Sequence, residues 1–133
     1  MLACSIFLSS WLCFINQPIV YEKQQEVYDK TAVATAYNLT ESQTDSEFCI
    51  GAWNNDLCGI LREEPGKCIV ATRLYDNHTI LCIEGFGRCE VLDKTSKKYG
   101  DRIDLLLPTY EEAINFGKRQ INYRVIKGLT SRL

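Results

Sequence analysis

From residue 67 to residue 107 the chain is cut into short β-patterned runs, each stopped by turn-forming residues. Lys67 to Thr72 is apolar and β-branched. Thr79 to Glu84 and Gly87 to Leu92 flank Gly85-Phe86, and Arg102 to Leu107 follows Gly100-Asp101. Valine, isoleucine and threonine suit a pleated, half-buried surface better than a helix. Side chains alternate along a strand, so Ile103, Leu105 and Leu107 fall on one face. Thr31 to Tyr37 (TAVATAY) has the same character, and Gln120 to Ile126 sets Ile121, Tyr123 and Val125 on one side. Five or six strands this short gain little as isolated hairpins, so the pattern predicts a mainly β, compact barrel.

Two details sharpen that expectation. Gly85 at the first position of a two-residue turn would pair Glu84 with Gly87 and Ile83 with Arg88. Cys82 and Cys89 would then be direct cross-strand neighbours, although a bond between them would be strained. One helix interrupts the strands. Behind Pro108, Thr109-Tyr110-Glu111-Glu112 reads as a capping box, with Thr109 at the N-cap and Glu112 reaching back. Ala113, Ile114 and Phe116 are expected to form its buried stripe, and Gly117 to end it. Glu111 and Glu112 are thereby explained as capping and dipole residues rather than as a catalytic pair. Asn38 to Cys58 is long, polar and Asn/Asp-rich, a loop or insertion carrying Trp53.

The 133 residues leave room for one core. A net charge of −2 and a pI near 5.4 argue against a dedicated nucleic-acid binder, which would carry a basic patch. Residues 1–20 hold no charged side chain and include Ile6, Phe7, Leu8, Trp11, Leu12, Phe14 and Ile15. About 20 apolar residues can span a bilayer. No Lys or Arg precedes Lys23 and no small-x-small site follows, so a retained membrane anchor is expected over a cleaved signal peptide or a buried helix. Residues 21–30 form a polar linker, 31–127 the barrel domain and 128–133 a tail. Of the seven cysteines, Cys4 and Cys13 lie in the apolar segment; Cys49, Cys58, Cys68, Cys82 and Cys89 belong to the domain. His78 is the only histidine and no CxxC pair occurs, so a metal site is not expected. Oxidised pairs in an exported, extracytoplasmic protein fit the cysteines better, with one thiol left over, although buried reduced cysteines are the alternative.

An ordered set of short motifs resembles the three-aspartate ("3D") domain family. Val33-Ala34-Thr35-Ala36-Tyr37 is similar to the family's "A-T-A-Y", and Ile83-Glu84-Gly85-Phe86-Gly87 to its "I-E-G-Y-G". Val91-Leu92-Asp93-Lys94-Thr95 with Gly100-Asp101-Arg102-Ile103-Asp104-Leu105 resembles "V-x-D-T-G … G-N-R-I-D-I". Glu112-Ala113 through Phe116-Gly117-Lys118-Arg119-Gln120 resembles "E-A-L-x-W-G-x-R-x-V". Asp93 and Asp104 stand eleven residues apart, as the family has them.

The resemblance implies a six-stranded double-psi β-barrel with one short α-helix, of the kind found in membrane-bound lytic transglycosylase A and stationary-phase muralytic proteins. It further implies cleavage of the β-1,4 bond between N-acetylmuramic acid and N-acetylglucosamine in peptidoglycan glycan strands, by a monomer with no cofactor. One carboxyl group would protonate the leaving oxygen while the sugar's own C6 hydroxyl attacks. Asp104 matches the family's acid/base aspartate and Asp93 its second aspartate. Burial among Ile103, Leu105, Leu106 and Leu107 would raise the pKa of Asp104. Asp93 would support it by a shared hydrogen bond or by positioning the sugar. Thr35, Tyr37 and Arg102 are candidates for lining the cleft. Arg73 stands where the family has its first aspartate. If it pairs with Asp104 it disables the acid and leaves a glycan-binding module; if it points elsewhere it is a substrate-binding residue.

Overall fold

The computed structural model describes residues 27–40 and 47–128. The anchor expected in residues 1–20, with Cys4 and Cys13, lies outside the described residues, and no described helix is long and apolar enough to cross a membrane.

Six strands close into a barrel: β1 (Lys30–Tyr37), β2 (Cys68–Thr72), β3 (Ile80–Ile83), β4 (Gly87–Asp93), β5 (Ile103–Leu106) and β6 (Arg119–Lys127). Their order around the barrel is β1-β5-β2-β4-β3-β6, closing from β6 to β1. β1 runs parallel to β5 and β2 parallel to β4, and the other four pairings are antiparallel. Each strand sends its alternate side chains inward. Ala34, Val70, Leu81, Ile83, Cys89, Val91, Ile103, Leu105, Ile121 and Tyr123 form one buried cluster, with Leu107 and Val125 packed against it. The faces expected for 103–107 and 121–125 are therefore the inward ones. At full burial each such aliphatic side chain contributes about 1.5–3 kcal/mol.

Two helices flank the barrel rather than the single one expected. α1 (Leu57–Glu63) falls at the end of the polar segment and just beyond it; the Asp56 side chain caps it by accepting from the Gly59 amide. Its Leu57 packs with Ile69, Leu92 and Leu106 into a second, smaller cluster outside the barrel, joined by Tyr37, Leu39, Ile60 and Leu61. This outer cover explains why Cys68–Thr72 reads as a continuous apolar run: β2 is buried on both faces. α2 (Tyr110–Phe116) begins as expected, with the Thr109 hydroxyl accepting from the Glu112 amide (3.1 Å), and ends at Gly117 with φ 68°. Ala113 and Phe116 are buried, but Ile114 is 59% exposed, a correction to the expected stripe. A helix of under two turns has room for only two core contacts on one face.

The β3–β4 hairpin also differs from the expected register. Ile83 pairs with Gly87, Cys82 with Arg88 and Leu81 with Cys89. The loop is three residues long, not two: the Phe86 amide bonds the Ile83 carbonyl (2.9 Å), and Gly85 (φ 89°) and Gly87 (φ 75°) both take positive φ. Positive φ at two alternate glycines moves the turn by one residue, and a one-residue slip flips a side chain to the other face. Cys82 and Cys89 accordingly point to opposite faces. Cys89 is instead disulfide-bonded to Cys68 on the parallel neighbour β2, and Cys49 to Cys58, leaving Cys82 as a buried thiol. Two bonded pairs and one thiol match the arithmetic of five domain cysteines.

Candidate functional site

The inward side chains of β1, β5 and β2 leave the intervening residues on the outer face. Thr35 lies between Ala34 and Ala36, and Asp104 between Ile103 and Leu105. Strand pairing sets Thr35 beside Asp104, Asp104 beside Ala71, and Ala71 beside Asp93. Four neighbouring strands thus carry the row Thr35–Asp104–Ala71–Asp93. At the usual spacing of paired strands, the two aspartates sit roughly 10 Å apart at Cα. The small Ala71 leaves the space between them open.

Asp93 joins this row through a bulge. Val70 pairs with Val91, but Ala71 pairs with Asp93, so β4 carries Leu92 as an extra residue. Strict alternation would turn Asp93 into the barrel core. With the bulge, Leu92 packs under α1 and Asp93 still faces outward, the re-aiming for which bulges serve beside sites.

Hydrogen bonding gives the two carboxylates different characters. The Tyr37 hydroxyl donates to Asp93 Oδ2 (3.0 Å), and the amides of Ala52 and Lys94 donate to Oδ1 (2.8 and 2.9 Å). Three donors fix Asp93 as an acceptor and moor the 49–56 segment to the barrel. Gly51 fits closely there: a Cβ would stand 3.0 Å from the Leu57 side chain and 3.1 Å from the Asp93 carboxyl, so a neighbour would have to shift. The hydrogen bond expected between the two aspartates is not formed; Asp93 bonds Tyr37 and two backbone amides instead. Among the described residues, Asp104 accepts from the Thr35 hydroxyl alone (3.1 Å). Burial raises its pKa above the ordinary carboxylate range; the Thr35 bond and the charge of Arg102 oppose that rise, and the charge of Asp93 adds to it. Burial, then the Asp93 charge and hydrogen bond, push the Tyr37 hydroxyl far upward, so it stays a donor.

Arg73 does not pair with Asp104. Its Nε donates to the Thr95 carbonyl (2.7 Å), and among the described residues the ion pairs are Lys67 with Glu64 and Glu90, and His78 with Glu90. Arg102 lays its guanidinium over the Tyr99 ring at 4.9 Å and gives its carbonyl to the Thr72 hydroxyl (2.8 Å). Sequence reasoning missed Trp53 and its neighbours as parts of the site. Trp53 and Asn54 both take positive φ (56° and 63°), Trp53 is exposed, and Lys94 Nζ stands 4.7 Å over its ring. Asn54 is a residue type that tolerates positive φ but Trp53 is not, so the sequence signals only half of this turn.

One cavity, of about 270 Å³, meets the row at its Asp93 end and is bounded by Tyr37, Asn38, Leu39, Thr40, Phe48 and Asp93. A larger one of about 430 Å³, among Leu61, Cys68, Phe86, Leu105 and Pro108, is apolar and holds neither carboxylate, so size does not point to the chemistry here. No protein-family model matches the chain, and no curated protein matches it either.

Proposed function

We propose that the domain is of the three-aspartate type, with its six strands following a double-psi path, and that it cleaves peptidoglycan glycan strands as a lytic transglycosylase. The observation that carries this reading is Asp104: a half-buried carboxyl with a raised pKa and, among the described residues, one hydroxyl partner and no cationic ion pair, in one row with a second, fixed carboxylate. The two parallel strand pairs within a closed six-strand barrel support the path. Two disulfides accord with an extracytoplasmic site of action.

In this mechanism Asp104 gives its proton to the glycosidic oxygen as the bond to the anomeric carbon breaks. The C6 hydroxyl of the same muramic residue then bonds that carbon and returns its proton to Asp104, leaving a 1,6-anhydro end. A single carboxyl serves as acid and then base, so no second catalytic carboxylate at glycoside-hydrolase spacing is needed. Asp93, its oxygens filled by Tyr37 and two amides, acts through its charge by favouring the protonated form of Asp104. Thr35 holds the acid's rotamer. The membrane association expected from residues 1–20 would place the domain against the wall.

A binding module without catalysis is the second reading, favoured by Arg102, whose charge opposes the protonated form of Asp104. Incubation with purified sacculi separates the two. Anhydro-muropeptides are expected from the parent and not from Asp104→Asn. Reducing ends would mean a hydrolase, and co-sedimentation without products would mean a binder.

A further inference from the structure

Two residues along from the carboxylate row, the same outer face changes sign. β2 and β5 pair Ala71 with Asp104 and Thr72 with Ile103; the strands end there, and their register continued by one step brings Arg73 opposite Arg102. Side chains two apart share a face, so both arginines emerge on the side of Asp104, about 7 Å from it along the strands. The next position across, on the β4 side, is Thr95, and the Arg73 Nε–Thr95 carbonyl bond closes that row. Arg73 is held at Nε and Arg102 by the Tyr99 ring face, so among the described residues each guanidinium keeps its terminal nitrogens uncommitted. Neither makes an ion pair among the described residues. Beside them Thr95 is only 5% exposed, yet its hydroxyl has no hydrogen-bond partner. Two guanidiniums without an ion pair among the described residues leave a site short of one acceptor-rich anion.

The geometry points to a carboxylate-binding subsite formed by Arg73 and Arg102, with Thr95 beside them, one strand repeat from Asp104. A guanidinium presents parallel donors that match the two oxygens of a carboxylate, and it stays charged at any working pH. This deepens the glycan reading and rests on it: the ligand is an acidic saccharide, a peptide-free muramic residue whose lactyl carboxylate is unmasked and whose glycosidic bond reaches Asp104. A neutral hexosamine would leave both arginines facing water.

The test is an amide-resolved NMR titration of the full chain with N-acetylmuramic acid, N-acetylglucosamine and D-lactate. The acidic sugar is expected to bind at least about tenfold more tightly than the neutral one, since hydrogen bonds to charged groups are the strong ones. Its shifts should centre on Arg73, Thr95 and Arg102, and D-lactate should perturb the same amides. Arg73→Gln and Arg102→Gln should each remove most of that preference while the remaining spectrum stays that of the folded parent. Equal affinity for both sugars, or a preference that survives both substitutions, would overturn the subsite. Failure of the glycan reading looks different: D-lactate would still shift these amides while neither sugar binds and sacculi stay intact.

Discussion

Replacing Cys68 and Cys89 together by alanine tests what holds the barrel closed on its β2–β4 side. The bond joins parallel strands, which no tight turn can connect, across a sequence separation of 21. Constraining a loop of that length in the unfolded chain is worth about 3.3 kcal/mol at 25 °C; the Cys49–Cys58 bond, with a separation of 9, is worth about 2.6. Cys89 is 1% exposed within the barrel core, so removing its sulfur adds a packing loss of about 1 kcal/mol. The double variant should therefore lose about 4 kcal/mol, a large share of a small domain's total stability. Urea unfolding followed by tryptophan fluorescence reads this directly. With a slope of about 1.5–2 kcal/mol per M, the midpoint should fall by roughly 2 M at an unchanged slope. Cys49→Ala/Cys58→Ala should move it less. A shift under about 0.5 M for the Cys68/Cys89 variant would refute the loop-closure reasoning. So would a larger loss from the shorter loop.

Asp104→Asn should lower turnover on sacculi at least about a hundredfold, the scale of lost general acid catalysis, which muropeptide analysis measures. The same variant should be slightly more stable than the parent at neutral pH. A carboxyl whose pKa is raised by folding costs stability once pH climbs past its unfolded value, and that cost vanishes in acid. Urea midpoints at pH 7 and pH 3 should then differ from the parent's in the first case only. Thr35→Val removes a bond that favours the ionised acid, so the acidic-form limb of the activity profile should move to higher pH. Asp93→Ala should cost about 2–4 kcal/mol and speed hydrogen exchange at the Ala52 and Lys94 amides, because three donors lose an anionic acceptor. Ile69→Ala should cost about 2–5 kcal/mol, measured by the same unfolding assay, since the side chain is fully buried between barrel and α1.

Local pattern was enough for much of the scaffold. Period-two alternation identified the strands around Ile103–Leu105 and Ile121–Val125 with their inward faces, and Thr109 with Gly117 bracketed α2, because both signals act within a few residues. α1 escaped because Leu57–Glu63 is short and contains Gly59; its one strong signal, the Asp56 cap, sat in a stretch otherwise reading as loop. The hairpin register failed on a single residue, since a glycine pair permits both a two- and a three-residue turn, and only packing of Leu81 and Cys89 into the core chooses between them.

For the site, the sequence by itself determined the inventory: that Thr35, Tyr37 and Asp104 stand on strands, that Asp93, Arg73 and Arg102 stand at or beside strand ends, and that the domain cysteines are odd in number. It also determined that Ile103, Leu105 and Leu107 share one face, with Asp104 on the other; that theirs is the inward one came from the structure. Tertiary structure alone decided the company each keeps. The bulge at Leu92 turned Asp93 outward, long-range pairing set it in one row with Asp104, and Arg73 bonded Thr95 rather than the acid. Those outcomes depend on which strands become neighbours across a closed barrel. Parallel pairing of β1 with β5 and β2 with β4 joins residues about 20 to 70 positions apart, beyond the reach of any pattern that repeats every two or four residues.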